Sequence, residues 1–177
     1  GLCDGAWSTY AASGLPHRRV EEWKYTDLRA RFAEAYPSAP AVAEALTLDD
    51  VNKALGKALA GLDCHRLVIV DGHYRPELSD LSNLGGKADV IALADALSDP
   101  SEQLQAVLGK ANPQATDPVV ALNTALMTGG VVIEIGDDVA IEKPLHIVHV
   151  FAAKAPASVT TRNVVSVGAG ASVTLLE

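Results

Sequence analysis

The chain has 177 residues, of which 49% are apolar and 20% are charged, and its formal net charge at pH 7 is −8. This composition indicates one large or two small globular domains and argues against disorder. The acidic balance argues against a non-specific nucleic-acid surface, which needs clustered Lys and Arg. Only two cysteines occur, Cys3 and Cys64, which is typical of a reducing cytosol rather than of a secreted disulfide framework.

Membrane attachment and export are not predicted. The longest apolar candidate, residues 119–135, is interrupted by polar residues and glycines, and a bilayer span needs about 20 apolar residues. The first residues lack a basic segment followed by an apolar one, which would mark a secretory signal. We therefore expect a cytoplasmic protein with no membrane contact.

The first 36 residues predict two helical elements. Residues 1–15 predict a short helix or an ordered arm, and a longer helix is predicted over Val20–Tyr36, closed by Pro37. For Trp23 and Tyr25 we predict core packing, because an aromatic ligand cage has no other support in the sequence. Large apolar residues recur at nearly helical spacings in the longer helix: Trp23, Leu28, Phe32 and Tyr36.

Residues 37–45 predict a Pro- and Ala-rich linker before another helix. Thr47 can cap this helix, Asp49 and Asp50 suit its first turn, and Gly61 lies near its end. Five residues form an apolar stripe on one side of the helix: Leu48, Val51, Leu55, Leu59 and Leu62.

Short strands and two helices are predicted next. Leu67–Val70 predicts a buried strand ended by Asp71-Gly72, residues 74–84 an extended piece with a loop, and Val90–Leu93 another strand.

Asp99 and Asp117 each precede a proline and predict helix N-caps, with Glu102 completing a capping box after Asp99. Gly129-Gly130 then ends the second helix, and strand patterns follow from Val131.

A strand–glycine–strand pattern occurs twice in the last 50 residues. Residues 133–141 align with residues 165–173 at an offset of 32 residues, and Gly136 falls on Gly168. Such a repeat is typical of a β-solenoid, in which glycine allows the chain to turn a corner between faces. The alternative is a plain antiparallel hairpin sheet.

The histidines and cysteines do not predict a metal site or a nucleophile. His146 and His149 lie three residues apart on a predicted strand, so their side chains project to opposite faces and cannot jointly chelate one ion. Cys64 and His65 are neighbours and diverge in the same way, and Cys64 is predicted to be a small buried residue. Two distant cysteines cannot form a four-cysteine cluster site.

Paired carboxylates and glycines also carry no predicted chemistry. Asp49-Asp50 suits a helix start and Asp137-Asp138 a solenoid corner, and neither pair has an acid–base partner. The run that begins at Gly168 is followed by strand residues, whereas a phosphate cradle needs a helix N-terminus. We therefore assign no catalytic, cofactor-binding or metal-binding residue.

The segment Glu22-Trp23-Lys24-Tyr25-Thr26-Asp27-Leu28 resembles the N-terminal motif of SufD proteins, a branch of the SufB/SufD family in the bacterial SUF iron–sulfur cluster assembly system. The Trp-Lys-Tyr-Thr block favours the SufD branch over the SufB branch. Further similar segments follow in the family's order: Leu67–Gly72, Ala121–Ala125, Gly130–Ile147 and Arg162–Gly168.

The resemblance implies an N-terminal helical region, a right-handed parallel β-helix and a C-terminal helical segment. We therefore expect an α+β chain, with a mixed helical region at residues 1–128 and the first coils of a truncated β-helix at residues 129–177. The strand pattern stops abruptly at Val173–Glu177 without a capping element, which predicts that the chain is a fragment of a longer protein.

The same resemblance implies a non-catalytic scaffold that pairs with a SufB-like paralogue and binds a SufC-like ATPase, through parts mostly absent from this chain. No cofactor is expected on the fragment, and an iron–sulfur cluster is expected only on the assembled complex. The resemblance also leaves open the formation of a homodimer through the β-helix. The alternatives are a β-helix enzyme, either an acyltransferase or a polysaccharide-active enzyme, and a structural solenoid.

Overall fold

The computed structural model of the chain describes residues 1–41, 46–108 and 117–177. Its α-helices are α1 Leu2–Ser13, α2 Leu28–Arg31, α3 Leu48–Ala60, α4 Leu93–Ser98, α5 Glu102–Val107 and α6 Pro118–Leu126. Its strands are β1 His65–Val70, β2 His73–Tyr74, β3 Ala88–Ala92, β4 Val131–Ile135, β5 Leu145–Val150, β6 Val164–Val167 and β7 Leu175–Leu176.

The described strands form two mixed sheets, with the orders β2-β1-β5-β7 and β3-β4-β6. In the first sheet, β1 and β5 are parallel over six register positions, from His65 opposite Leu145 to Val70 opposite Val150. In the second, β4 and β6 are also parallel. The pairs β1–β2 and β3–β4 are antiparallel.

The predicted right-handed parallel β-helix is wrong, although the α+β class is confirmed. Each sheet contains an antiparallel pair, and neither sheet closes into a solenoid. Two antiparallel pairings prevent a stack of parallel coils. β2 folds back onto β1 directly after Asp71-Gly72, and β3, which is distant in the chain, pairs along β4. The plain antiparallel sheet is wrong too, since β1–β5, β4–β6 and β5–β7 are parallel.

The repeat of 32 residues reappears as the register between β4 and β6. Ile133 lies opposite Val165, and an isolated parallel bridge joins Ala140 to Ser172. Gly168 donates its N–H to the Ile135 carbonyl at 2.9 Å. A Cβ on Gly168 would lie 2.6 Å from the Asp137 nitrogen, so only glycine fits this close approach. The repeat that was interpreted as β-solenoid coils thus corresponds to the parallel register of β4 and β6.

The main core lies between the two sheets. Leu67 and Ile69 of β1, Ile133 of β4 and Leu145 of β5 are fully buried in it. Because strand side chains alternate, Val68 and Val70 face the other side of β1 and pack with Val51 of α3. Burial of each such side chain contributes about 1.5–3 kcal/mol. A third cluster joins the helices α4 and α5 to β4: Leu93, Leu104, Met127 and Val132.

The long helix predicted over Val20–Tyr36 is wrong. A 3₁₀ turn at Glu21–Trp23 is followed by the four-residue α2. Asp27 interrupts the helix because it takes an extended backbone and its side chain accepts the Ala30 N–H, which caps a new helix. Tyr25 is 92% exposed, so its predicted core packing is also wrong, and Trp23 is only partly buried.

Several helix ends are confirmed. The helix predicted in residues 1–15 is α1. Thr47 and Asp50 form a reciprocal capping box at the start of α3, and Gly61 is its C-cap. The predicted apolar stripe of α3 is only partly buried: Val51 is fully buried, whereas Leu48 is 51% exposed. The helix also kinks at Gly56. Of the predicted linker at residues 37–45, residues 42–45 lie outside the described residues.

The segment around Asp99 differs from its prediction. Ser101, not Asp99, caps α5, because its hydroxyl accepts the Leu104 N–H. Leu93 starts α4 instead of ending a strand. Asp117 caps α6 as predicted. The division at residues 128 and 129 stays a prediction, and β1 and β5 pair across it.

Candidate functional site

Arg162, just before β6, joins helix α6 to the second sheet. Its Nη2 donates to Thr124 Oγ1 at 2.8 Å and to Asn123 Oδ1 at 2.9 Å, and its Nε donates to the same Asn123 oxygen at 3.2 Å. Asn123 in turn donates through Nδ2 to the Thr161 carbonyl at 3.0 Å. Since these contacts come from consecutive residues on α6, the guanidinium is held in one orientation.

Gly129 and Gly130 place the Arg162 backbone against the start of β4. Gly130 has a φ of 105°, and a Cβ on it would lie 2.7 Å from the Arg162 carbonyl carbon. The Arg162 N–H donates to the Gly129 carbonyl at 3.0 Å. A side chain at Gly130 would therefore push Arg162 away from α6.

Asn163 makes a second polar group with His149 and Glu177. Its Oδ1 accepts the Val131 N–H at 3.3 Å and its Nδ2 donates to Glu177 Oε1 at 3.2 Å. His149 Nε2 lies 2.9 Å from the same Glu177 oxygen. Only two of these side chains are of metal-ligating types, so the group holds strands together rather than providing a full ligand set.

A cleft of about 670 Å³ lies between α1, α6 and the first residues of β6. Small and aliphatic side chains make most of its wall, and Arg162 supplies a cationic group. None of the described residues that line it is acidic. The aliphatic part of the wall includes Gly5, Ala6, Leu108, Val120, Ala121 and Val164.

His146 and His149 project to opposite faces of β5, as predicted. His146 is 6% exposed and lies opposite Arg66 in the β1–β5 register, on the side that faces α3. Burial lowers the pKa of His146, and the charge of Arg66 lowers it further. Within the described residues, His146 Nδ1 and Arg66 Nε are buried without hydrogen-bond partners.

The other sequence candidates stay apart. Cys64 is partly exposed instead of buried, and His65 is buried at the start of β1. Asp137 Oδ1 accepts the Ala169 N–H at 2.8 Å in the turn after β4, and Asp138 has a φ of 58°. Over residues 1–41, 46–108 and 117–177, no three or more His, Cys, Asp or Glu side chains form a group that could hold a metal ion.

No residue pattern predicted the contacts of Arg162. Both sides of the contact lie in segments that resemble the family, Ala121–Ala125 and Arg162–Gly168, but no spacing or motif links the two segments. The offset of 32 residues was the available signal, since it sets Arg162 beside Gly130 and therefore near the end of α6. No helix in the described part of the chain is long and apolar enough to cross a membrane.

Two mixed sheets, the second of which is joined to α6 by Arg162, define an α+β protein that pairs strands from distant parts of its chain. Residues 2–147 match the family described as the SufBD protein N-terminal region. Over 174 residues the chain is 30% identical to an iron–sulfur cluster assembly SufBD family protein of Synechocystis sp. (strain ATCC 27184 / PCC 6803 / Kazusa). The chain therefore belongs to the SufBD family.

The match to the Synechocystis protein covers 98% of this chain and 37% of the relative. The chain thus spans little more than a third of the length of that curated protein.

Proposed function

We propose that the chain is the N-terminal part of a SufD-type scaffold subunit that takes part in iron–sulfur cluster assembly. Membership of the SufBD family carries this proposal, because the family match spans residues 2–147 and the Synechocystis relative is named as an iron–sulfur cluster assembly protein. The choice of SufD over SufB rests on the motif Glu22-Trp23-Lys24-Tyr25.

A scaffold role, rather than an enzymatic one, is supported by what the polar side chains do. Arg162 bonds α6 to the start of β6, and Asn163 bonds that segment to β4. The carboxylate of Asp71 accepts two backbone N–H groups beyond β5. All three side chains use their hydrogen bonds to hold segments of the chain together. We propose that the iron–sulfur cluster is the cargo of an assembled complex and that this part of the chain has no resident cofactor.

The proposed partners are a SufB-like paralogue and a SufC-like ATPase, in the cytoplasm. Within the described residues, β6 and β7 each pair on one side only. An unpaired strand edge can accept a strand from another segment or another chain. The choice of these partners rests on membership of the SufBD family, and strand pairing between the two proteins is part of the proposal.

Co-purification of the full-length protein tests the partners. The protein would be co-expressed with its SufB-like and SufC-like neighbours and separated by size-exclusion chromatography under anaerobic conditions. We expect one complex that contains all three proteins and accepts a cluster on chemical reconstitution, followed by visible absorbance. A full-length protein that elutes alone, or that hydrolyses ATP without the SufC-like subunit, would contradict the proposal.

Genetic rescue tests the SufD assignment. The full-length gene would be expressed in bacterial strains that lack either SufD or SufB, with growth measured under iron limitation. Rescue of the strain that lacks SufD is expected. Rescue of the strain that lacks SufB, and not of the other, would assign the chain to the SufB branch instead.

A further inference from the structure

The cleft between α1, α6 and β6 has the dimensions of a small-molecule site. Its volume of about 670 Å³ lies within the ~300–1,000 Å³ that is typical of ligand pockets. Its wall is mainly aliphatic, and its polar lining residues include Arg162 and Thr124. Such a combination favours a ligand with an apolar body and one polar head.

Arg162 supplies a positive charge that the described residues do not neutralise. It donates its side-chain hydrogen bonds to the neutral oxygens of Asn123 and Thr124, and none of its nitrogens lies within salt-bridge distance of a carboxylate in the described parts of the chain. A partly buried guanidinium stays charged and is stabilised by an anion. Among the residues that the structure describes, the lining includes no Asp or Glu.

The guanidinium is also preorganised for a planar anion. Asn123 and Thr124 fix it from the side of α6, and the backbone of Arg162 is fixed by Gly129 and Gly130. A rigid guanidinium loses little conformational entropy when it pairs with a carboxylate. We infer that the cleft binds a small carboxylate with an apolar body, whose carboxylate pairs with Arg162 and whose body lies against α1 and α6.

Isothermal titration calorimetry of the full-length protein tests this inference with three probes of equal chain length. Decanoate, decanol and decylammonium would each be titrated at pH 7 below their aggregation concentrations. We expect one decanoate per chain, bound about 10-fold or more tightly than decanol, because a hydrogen-bonded charge pair adds to the shared apolar contact. Decylammonium should bind more weakly than decanol.

Two substitutions separate the anion contact from the apolar contact. Arg162→Lys keeps the charge but loses the planar fork and should weaken decanoate binding about 10-fold. Ala6→Phe fills the cleft from α1 without altering the contacts of Arg162 and should abolish binding of decanoate and decanol. Ala12→Phe adds the same ring to an exposed position of α1 outside the lining and should leave binding unchanged.

Circular dichroism and thermal unfolding of each variant show whether it is folded. Ala6→Phe keeps the test decisive if Arg162→Lys proves unstable. Equal affinities for decanoate and decanol, full binding by a folded Ala6→Phe variant, or no decanoate binding at all would each overturn the inference. None of these outcomes bears on the proposed scaffold function, which is tested by co-purification and rescue.

Discussion

Gly72 and Gly129 touch backbone to backbone, at the point where the turn after β1 meets the residues before β4. A Cβ on Gly129 would overlap the Gly72 carbonyl oxygen and lie 2.6 Å from its carbonyl carbon. The next residue, Gly130, donates its N–H to the same Gly72 carbonyl at 2.8 Å. The two sheets are therefore joined at a contact that has no room for a side chain.

Gly129→Ala should destabilise the fold. The new methyl group must push the Gly72 carbonyl aside, and overpacking of this kind costs about 1–3 kcal/mol in the free energy of unfolding. Urea unfolding followed by circular dichroism measures the change. Gly136→Ala is the matched control, because its Cβ would meet only Val139 Cγ2 at 3.6 Å, and its effect should stay below about 1 kcal/mol. Equal effects at the two glycines would refute the contact.

Asp71→Ala should be more disruptive than Asp71→Asn. Asp71 is 4% exposed and has a φ of 48°, and its Oδ1 accepts the N–H groups of Ala152 at 2.8 Å and Ala153 at 3.2 Å. Alanine loses both acceptor contacts and suits a left-handed backbone poorly, so we expect a loss of about 2–4 kcal/mol in unfolding free energy.

Asparagine at this position keeps an acceptor oxygen and tolerates the left-handed conformation. The measurement is again urea unfolding, and a loss for Asp71→Asn as large as that for Asp71→Ala would show that the charge, not the acceptor geometry, matters.

Asp50 makes the start of α3 sensitive to acid. The Thr47 hydroxyl donates to Asp50 Oδ2 at 2.6 Å and the Thr47 N–H donates to the same oxygen at 3.0 Å, and these two bonds lower the pKa of Asp50 below 3.8. The contribution of ionised Asp50 to the stability of the fold is thus complete above pH 3.8. It is lost as the pH falls through the lower pKa that Asp50 has in the folded state.

The difference in urea midpoint between the wild type and Asp50→Asn should therefore be present at pH 7 and shrink toward pH 3. Asp49→Asn removes the same charge from the same helical turn without touching Thr47 and should show a smaller difference at pH 7. A wild-type advantage over Asp50→Asn that does not change with pH would contradict the proposed cause.

His146 should make the whole fold less stable in mild acid. Burial, together with Arg66, lowers the folded-state pKa of His146 below 6.5, so the unfolded chain binds a proton more readily. Stability should fall as the pH drops below about 6.5, until the folded-state pKa is reached. The urea midpoint between pH 7.5 and pH 5.5 measures this loss.

His146→Gln removes the titrating group and should flatten the pH dependence over that range. His17→Gln, on the segment before α2 and away from Arg66, is the control and should leave the dependence as in the wild type. A wild-type slope that survives His146→Gln would assign the effect to other groups.

Local sequence signals predicted the elements whose stability is local. Thr47 and Asp117 were predicted correctly as N-caps because a cap depends only on the next three residues. The same logic failed at Asp99, since Ser101 is a competing cap two residues later. At Asp27 the prediction from helical spacing failed instead, because the Asp27 side chain caps a new helix within the segment that contains Trp23 and Phe32.

The sheets were predictable only in part. The glycine-marked repeat coincides with the register of Ile133 and Val165, because an equal offset preserves which face is buried, but its interpretation as a solenoid was wrong. The antiparallel partner of β4 is β3, about 40 residues earlier, and no repeat marks Val90 as the neighbour of Ile133. The Arg162 contacts with α6 depend on this three-dimensional arrangement and were likewise hidden from residue patterns.

The pairing of β1 with β5 has a consequence for synthesis in the cell. His65 finds its parallel neighbour Leu145 only after 80 more residues have been made, which takes roughly 4–16 s at about 5–20 residues per second. Throughout that delay the edge of Leu67–Val70 that later pairs with β5 has no strand partner. A nascent chain of this kind is a natural client for ribosome-associated chaperones, and slower translation before codon 145 would lengthen its exposure to aggregation.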